Sequence, residues 1–179
     1  MLTTFLRDHA FTVGWFGLMA VVWFGWGQED PPPGRRWLLG AGSVIGLALA
    51  VGGGVLVYRN WATPSALTGR YQWFGLLVLV EVVAAGLGCW VLGRRGRSRW
   101  MAWWVAVVVA AHFLPLAALL ADWSIALFGV VQSAGLLAFV PRLRRADVPT
   151  SRAVGAWMGG TLVAFALASA GMLLAGGLE

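Results

Sequence analysis

Four side chains that could carry chemistry lie near the middle of long apolar stretches: Glu81, His112, Gln132 and Ser133. A charged side chain at the centre of a bilayer is costly, so an acid kept there usually faces protein, water or a ligand. Glu81 is therefore the first candidate for a proton, ion or solute site, with His112 as its partner. Gln132 and Ser133 would supply neutral hydrogen-bonding groups.

Residue counting predicts that these groups share one depth in the membrane. Sixteen residues separate Glu81 from Arg97, near the centre of a connecting loop, and fifteen separate Arg97 from His112. At about 1.5 Å of helix rise per residue, Glu81 and His112 lie within about 2 Å of the same level. His112 and Gln132 are each ten residues from the next turn, at Asp122. We therefore expect one polar site shared by three consecutive helices.

Pro115 lies close to His112 in the same apolar stretch. It has no N–H to donate to the carbonyl of Ala111, which predicts a kink and an unpaired acceptor beside His112. The segment Ala111-His112-Phe113-Leu114-Pro115-Leu116-Ala117 resembles an HFxPLA element of small, uncharacterised bacterial membrane proteins with six helices. The resemblance covers these residues only, and it implies a membrane-helix fold without implying a function.

Six apolar stretches would position these groups. They predict an all-α membrane protein, a bundle of six transmembrane helices in three antiparallel hairpins that forms one integral membrane domain over residues 1–179. The composition, 60% hydrophobic and 11% charged, lies outside the range of soluble domains. The first stretch is followed by a proline-rich turn rather than a cleavage site, so we expect it to be retained. The predicted spans are 10–26, 37–58, 71–93, 100–121, 123–140 and 153–176.

The thirteen basic residues are all arginine, and ten of them fall in the loops after spans 1, 3 and 5. The positive-inside rule predicts a protein of the cell membrane with both termini outside and with loops 27–36, 94–99 and 141–152 in the cytoplasm. This distribution explains the net charge of +6 without a nucleic-acid partner. Seven of the eight arginines in the last two loops are candidate contacts for anionic lipid headgroups: Arg94, Arg95, Arg97, Arg99, Arg142, Arg144 and Arg145.

Tryptophan and glycine carry two further patterns. Most of the twelve tryptophans lie near predicted span ends, which is typical of an aromatic belt at the lipid headgroups, with a stacking pocket as the alternative. Small residues four positions apart, Gly42 with Gly46 and Gly155 with Gly159, predict close helix packing. That packing would occur either within one chain or between copies in a homo-oligomer.

The sequence lacks the residues that several kinds of chemistry require. The absence of lysine excludes a Schiff base, and a single cysteine, Cys89, excludes an intrachain disulfide. His9 lies too far in depth from His112 for the two to hold a heme, and one histidine, one glutamate and Cys89 make a poor metal set. We therefore expect no metal and no cofactor. Ser133, His112 and Glu81 have hydrolase residue types, but no nucleophile elbow accompanies them, so an enzyme is the least supported class.

Two functional hypotheses and one structural alternative remain. The leading hypothesis is a transporter or channel for a small solute or ion, with Glu81 available for proton coupling. The second is a non-enzymatic protein that binds or senses a lipid or another hydrophobic ligand. Alternatively, Glu81 and His112 form a buried bridge that only fixes the register of two helices.

Overall fold

The computed structural model describes residues 3–176, and within that range it contains helices and no strand. A short 3₁₀ turn, Ser98–Trp100, leads into the fourth helix. Six helices are long and apolar enough to cross a membrane, judged by length and composition, which confirms that part of the prediction. Their bounds are α1 Leu6–Gly27, α2 Arg36–Arg59, α3 Tyr71–Arg94, α4 Met101–Leu119, α5 Trp123–Arg145 and α6 Ser151–Gly176.

The helices extend furthest beyond the predicted spans at the start of α1 and at the end of α5. α1 begins at Leu6, four residues before the predicted start, and so includes the polar residues Asp8 and His9, both of which are buried. α5 passes through Pro141 and ends at Arg145, so the first part of the loop predicted at 141–152 is helical. A proline removes only its own N–H and disturbs one turn, and the turn that follows it is still hydrogen-bonded.

The helices pack as two groups of three, and not as three hairpins placed side by side. α1 lies between α2 and α6, whereas α4 lies between α3 and α5; α5 and α6 contact each other less than they contact those central helices. An aromatic cluster with ring centroids 4.8–5.4 Å apart joins the two groups at the centre of the fold. Its members are Phe16, Phe113, Phe128 and Phe165.

Glycines bring α2 and α6 against α1. A Cβ on Gly17 would lie 2.6 Å from the carbonyl oxygen of Gly46, and a Cβ on Gly155 would lie 2.6 Å from that of Trp23. These backbones can approach only because neither glycine has a side chain. All four glycines singled out by their spacing pack on α1 within one chain, so they give no support to a homo-oligomer: Gly42, Gly46, Gly155 and Gly159.

α3 is the most peripheral helix. None of its residues is buried, and it packs on α4 and on the 3₁₀ turn before α4. Trp104 of α4 holds it by donating its indole N–H to the carbonyl oxygen of Ala84 at 3.0 Å. Because α3 leans on α4 and makes little contact with α1, a space remains between α1 and α3.

Candidate functional site

A cavity of about 450 Å³ occupies the space between α1, α3 and α4, and residues of α5 and α6 close its inner end. We call it the Glu81 cavity. Apart from the indole groups, its polar side chains among the described residues are Thr12, Glu81 and His112. Its remaining wall is apolar and rich in aromatic rings. α1 supplies most of these rings: Phe11, Trp15, Phe16, Trp23 and Trp26.

The spacing of residues along α3 and α4 places both ionisable side chains on the helix faces that line this cavity. Residues separated by three or four positions share one face of a helix. On α3 the residues that face the cavity follow that spacing: Phe74, Val78 and Glu81. On α4 the spacing is the same: Val105, Val109, His112 and Leu116. Glu81 and His112 are therefore the polar members of two otherwise apolar faces that meet.

The carboxylate of Glu81 and the ring of His112 are neighbours. Glu81 Oε1 lies 3.6 Å from His112 Nδ1, with the side chains 20% and 14% exposed. His112 Nδ1 also lies 2.8 Å from the carbonyl oxygen of Val109. A carbonyl oxygen can only accept, so Nδ1 carries a hydrogen and donates it to Val109. Within residues 3–176 Glu81 makes no hydrogen bond, so its oxygens keep free acceptor positions beside the cavity.

Gln132 and Ser133 are not in the Glu81 cavity, although the same depth was expected for them. Gln132 is fully buried and donates from Nε2 to Thr161 Oγ1 of α6 at 3.0 Å. Ser133 donates from Oγ to the carbonyl oxygen of Gly129, one turn earlier in α5, at 2.8 Å. Equal depth does not set the direction in which a side chain leaves its helix, and α5 turns Gln132 towards α6 instead of α3.

Pro115 also lies outside the cavity lining. α4 continues through it to Leu119, and both Pro115 and Ala111 are exposed. The unpaired acceptor expected at Ala111 is therefore on a different face of α4 from the cavity. The backbone acceptor that His112 uses is the carbonyl of Val109, on its own side of the helix.

A buried polar cluster was not predicted; it lies at the end of the fold opposite the arginine-rich loops. Asp8 accepts a hydrogen bond from the backbone N–H of Ala66 at 2.7 Å and so fixes the loop between α2 and α3. His9 donates from Nε2 to the carbonyl oxygen of Ser169 at 2.9 Å, which ties α1 to α6. Asp122 is fully buried and caps α5. These contacts hold helix ends together. The position of Asp122 directly before an apolar helix was the sequence signal that could have predicted its capping role.

Several tryptophans make contacts inside the fold, beyond the belt expected from their positions. Trp23 and Trp26 line the Glu81 cavity and stack on each other, with ring centroids 5.7 Å apart. Trp103 donates its indole N–H to a backbone carbonyl of α5, and Trp157 of α6 does the same. The aromatic wall and these interhelical hydrogen bonds place several indoles inside the fold.

Comparisons with known proteins provide no assignment: no family model matches the chain, and no curated protein or solved structure matches it significantly. Within the described part of the chain, no group of three or more His, Cys, Asp or Glu residues could hold a metal ion. We therefore infer a function from the geometry of the Glu81 cavity.

Proposed function

We propose that this chain is a multi-pass protein of the cell membrane that binds a hydrophobic ligand in the Glu81 cavity without acting on it as an enzyme. Six apolar helices of spanning length support insertion into a bilayer. The arginine-rich loops favour an orientation with both termini outside and these loops in the cytoplasm.

The lining of the Glu81 cavity is the observation that carries this proposal. Its volume of about 450 Å³ falls within the range of about 300–1,000 Å³ that small-molecule sites occupy. Aromatic and aliphatic side chains form nearly all of the wall, and a single acid with a histidine beside it supplies the polar group. This arrangement suits an amphiphile whose hydrocarbon body packs on the α1 rings and whose cationic or hydrogen-bond-donating group reaches Glu81.

Native mass spectrometry of the protein extracted from its membrane tests occupancy. We expect a bound small molecule on the wild type and its loss from Val109→Phe, because Val109 lines the cavity and a larger ring there fills it. Val80→Phe is the matched control, since Val80 is 57% exposed on α3 and lies outside the lining. A wild type without adduct, or equal adducts on both variants, would contradict the proposal.

Transport is the second candidate, supported by the neighbouring acid and histidine at mid-helix. It is less well supported because Gln132 and Ser133, expected to extend a polar site, face other partners. Proton flux into proteoliposomes loaded with a pH-sensitive dye, under an imposed potential, separates the two candidates. Binding without transport predicts sealed vesicles for both wild type and Glu81→Gln. Flux that is lost in Glu81→Gln would instead establish a conducting pathway.

A further inference from the structure

A second cavity lies at the arginine-rich end of the helices. Its volume is about 520 Å³, and it is bounded by the end of α3, the 3₁₀ turn, the start of α4 and the last turns of α5. We call it the arginine–tryptophan cavity. Three arginines and three indoles form most of its lining: Arg97, Arg99, Arg144, Trp100, Trp103 and Trp104.

Arg99 is a structural member of this group. Its guanidinium donates to the carbonyl oxygens of Ala146 at 2.6 Å and Leu143 at 3.1 Å, and it lies over the ring of Trp100 at 5.6 Å from the centroid. These contacts tie the end of α5 to the start of α4. Arg99 also forms an ion pair with Asp147 at 3.5 Å, so it shapes the cavity while its charge and most of its donors are already used.

Arg97 and Arg144 are different, because their guanidinium groups have no hydrogen-bond or ion-pair partner within residues 3–176. Both are exposed and both line the cavity. Two like charges held at one concave site repel each other, and a bound anion would relieve that repulsion. Other arginines of the same loops lie outside the lining; Arg94, for example, stacks on Trp90 at 4.7 Å.

We propose that the arginine–tryptophan cavity binds the phosphate of an anionic phospholipid headgroup, with Arg97 and Arg144 as its ligands. The guanidinium fork matches phosphate oxygens. The indoles and the aliphatic residues of the wall suit the glycerol and upper acyl region, and tryptophan is typical of that level of a membrane. The proposal rests on insertion into a membrane, but it is independent of what occupies the Glu81 cavity.

Charge-matched variants in lipid nanodiscs test this assignment. The probe is phosphatidylglycerol at one fifth of the lipid in phosphatidylcholine nanodiscs, and the readout is the phosphatidylglycerol retained in native mass spectra. The cavity variant is Arg97→Gln with Arg144→Gln. The control is Arg95→Gln with Arg145→Gln, which removes the same charge from the same loops outside the cavity. A third arm adds inorganic phosphate to nanodiscs of phosphatidylcholine alone, with thermal stability as its readout.

The wild type and the control should retain phosphatidylglycerol, whereas the cavity variant should retain at least about tenfold less, since losing one charge-assisted hydrogen bond costs roughly a factor of ten. All three proteins should have equal thermal stability in phosphatidylcholine, because the side chains of neither mutated pair have a hydrogen-bond or ion-pair partner among residues 3–176. Equal loss from both double variants would show diffuse attraction by surface charge and overturn the proposal. If inorganic phosphate alone stabilises the wild type but not the cavity variant, the ligand of this cavity is a free anion and not a lipid.

Discussion

Adding one methyl group at Gly53 tests the contact between α1 and α2. A Cβ on Gly53 would lie 2.8 Å from the carbonyl oxygen of Ala10 and closer still to the backbone of Gly14. These neighbours are backbone atoms, so no side chain can move aside and the two helices must separate. Gly52 and Gly54 are the next residues along the chain, yet a Cβ on either would meet nothing within 4 Å.

The size of the effect follows from this difference. Replacing glycine by alanine favours a helix by up to about 1 kcal/mol, and this gain is shared by the three variants. The difference between Gly53→Ala and Gly52→Ala therefore isolates the cost of overpacking, about 1–3 kcal/mol. For a chain of this length, unfolding temperature falls by about 2–4 °C per kcal/mol.

Thermal unfolding in one mild detergent, followed by tryptophan fluorescence, compares the stabilities of the wild type and the three variants. Gly53→Ala should unfold several degrees below Gly52→Ala and Gly54→Ala, which should themselves unfold at or above the wild-type temperature. If the three variants unfold together, α1 and α2 do not approach through Gly53 and the central position of α1 is refuted.

Two further predictions concern helix ends and the peripheral helix. Asp122→Ala should destabilise the protein by at least about 1 kcal/mol in a denaturant titration, because α5 loses its N-cap. Asp122→Asn keeps an accepting oxygen and should lose less stability. Equal losses in the two variants would contradict a capping role. Trp104→Phe removes the hydrogen bond to Ala84 and should loosen α3 by about 1 kcal/mol, seen as faster hydrogen exchange in 71–94. The exposed Trp90→Phe is its control, and equal exchange in both variants would refute the anchoring of α3 by that bond.

The helices could be predicted from the sequence because the chain is so apolar. A chain this apolar, cut into stretches of spanning length, has few alternatives to helices. Their common rise then places Glu81 and His112 at one level, and the structure has them 3.6 Å apart. Glycine spacing also indicated which faces pack closely, although it could not say that Gly46 and Gly155 pack on α1 of the same chain.

The direction in which each side chain points could not be predicted in the same way. In a soluble helix the polar face marks the surface, but in a lipid-facing helix both faces are apolar and that mark is absent. Nothing in the pattern around Gln132 therefore showed that it faces Thr161 of α6. The cavity depends on the central burial of α1 and on the exposure of α3, and the apolar faces of these helices did not show which residues would line it.

Photoaffinity labelling in nanodiscs tests the proposed ligand site most directly. The probes are an alkyl amine and an alkyl carboxylate of equal chain length, each with a diazirine in the chain, and labelled peptides are identified by mass spectrometry. We expect the amine to label the α1 aromatic wall of the Glu81 cavity, with labelling reduced in Glu81→Gln and abolished in Val109→Phe, while the carboxylate labels weakly. Equal labelling by both probes, unaffected by Glu81→Gln and Val109→Phe, would contradict a ligand site in this cavity.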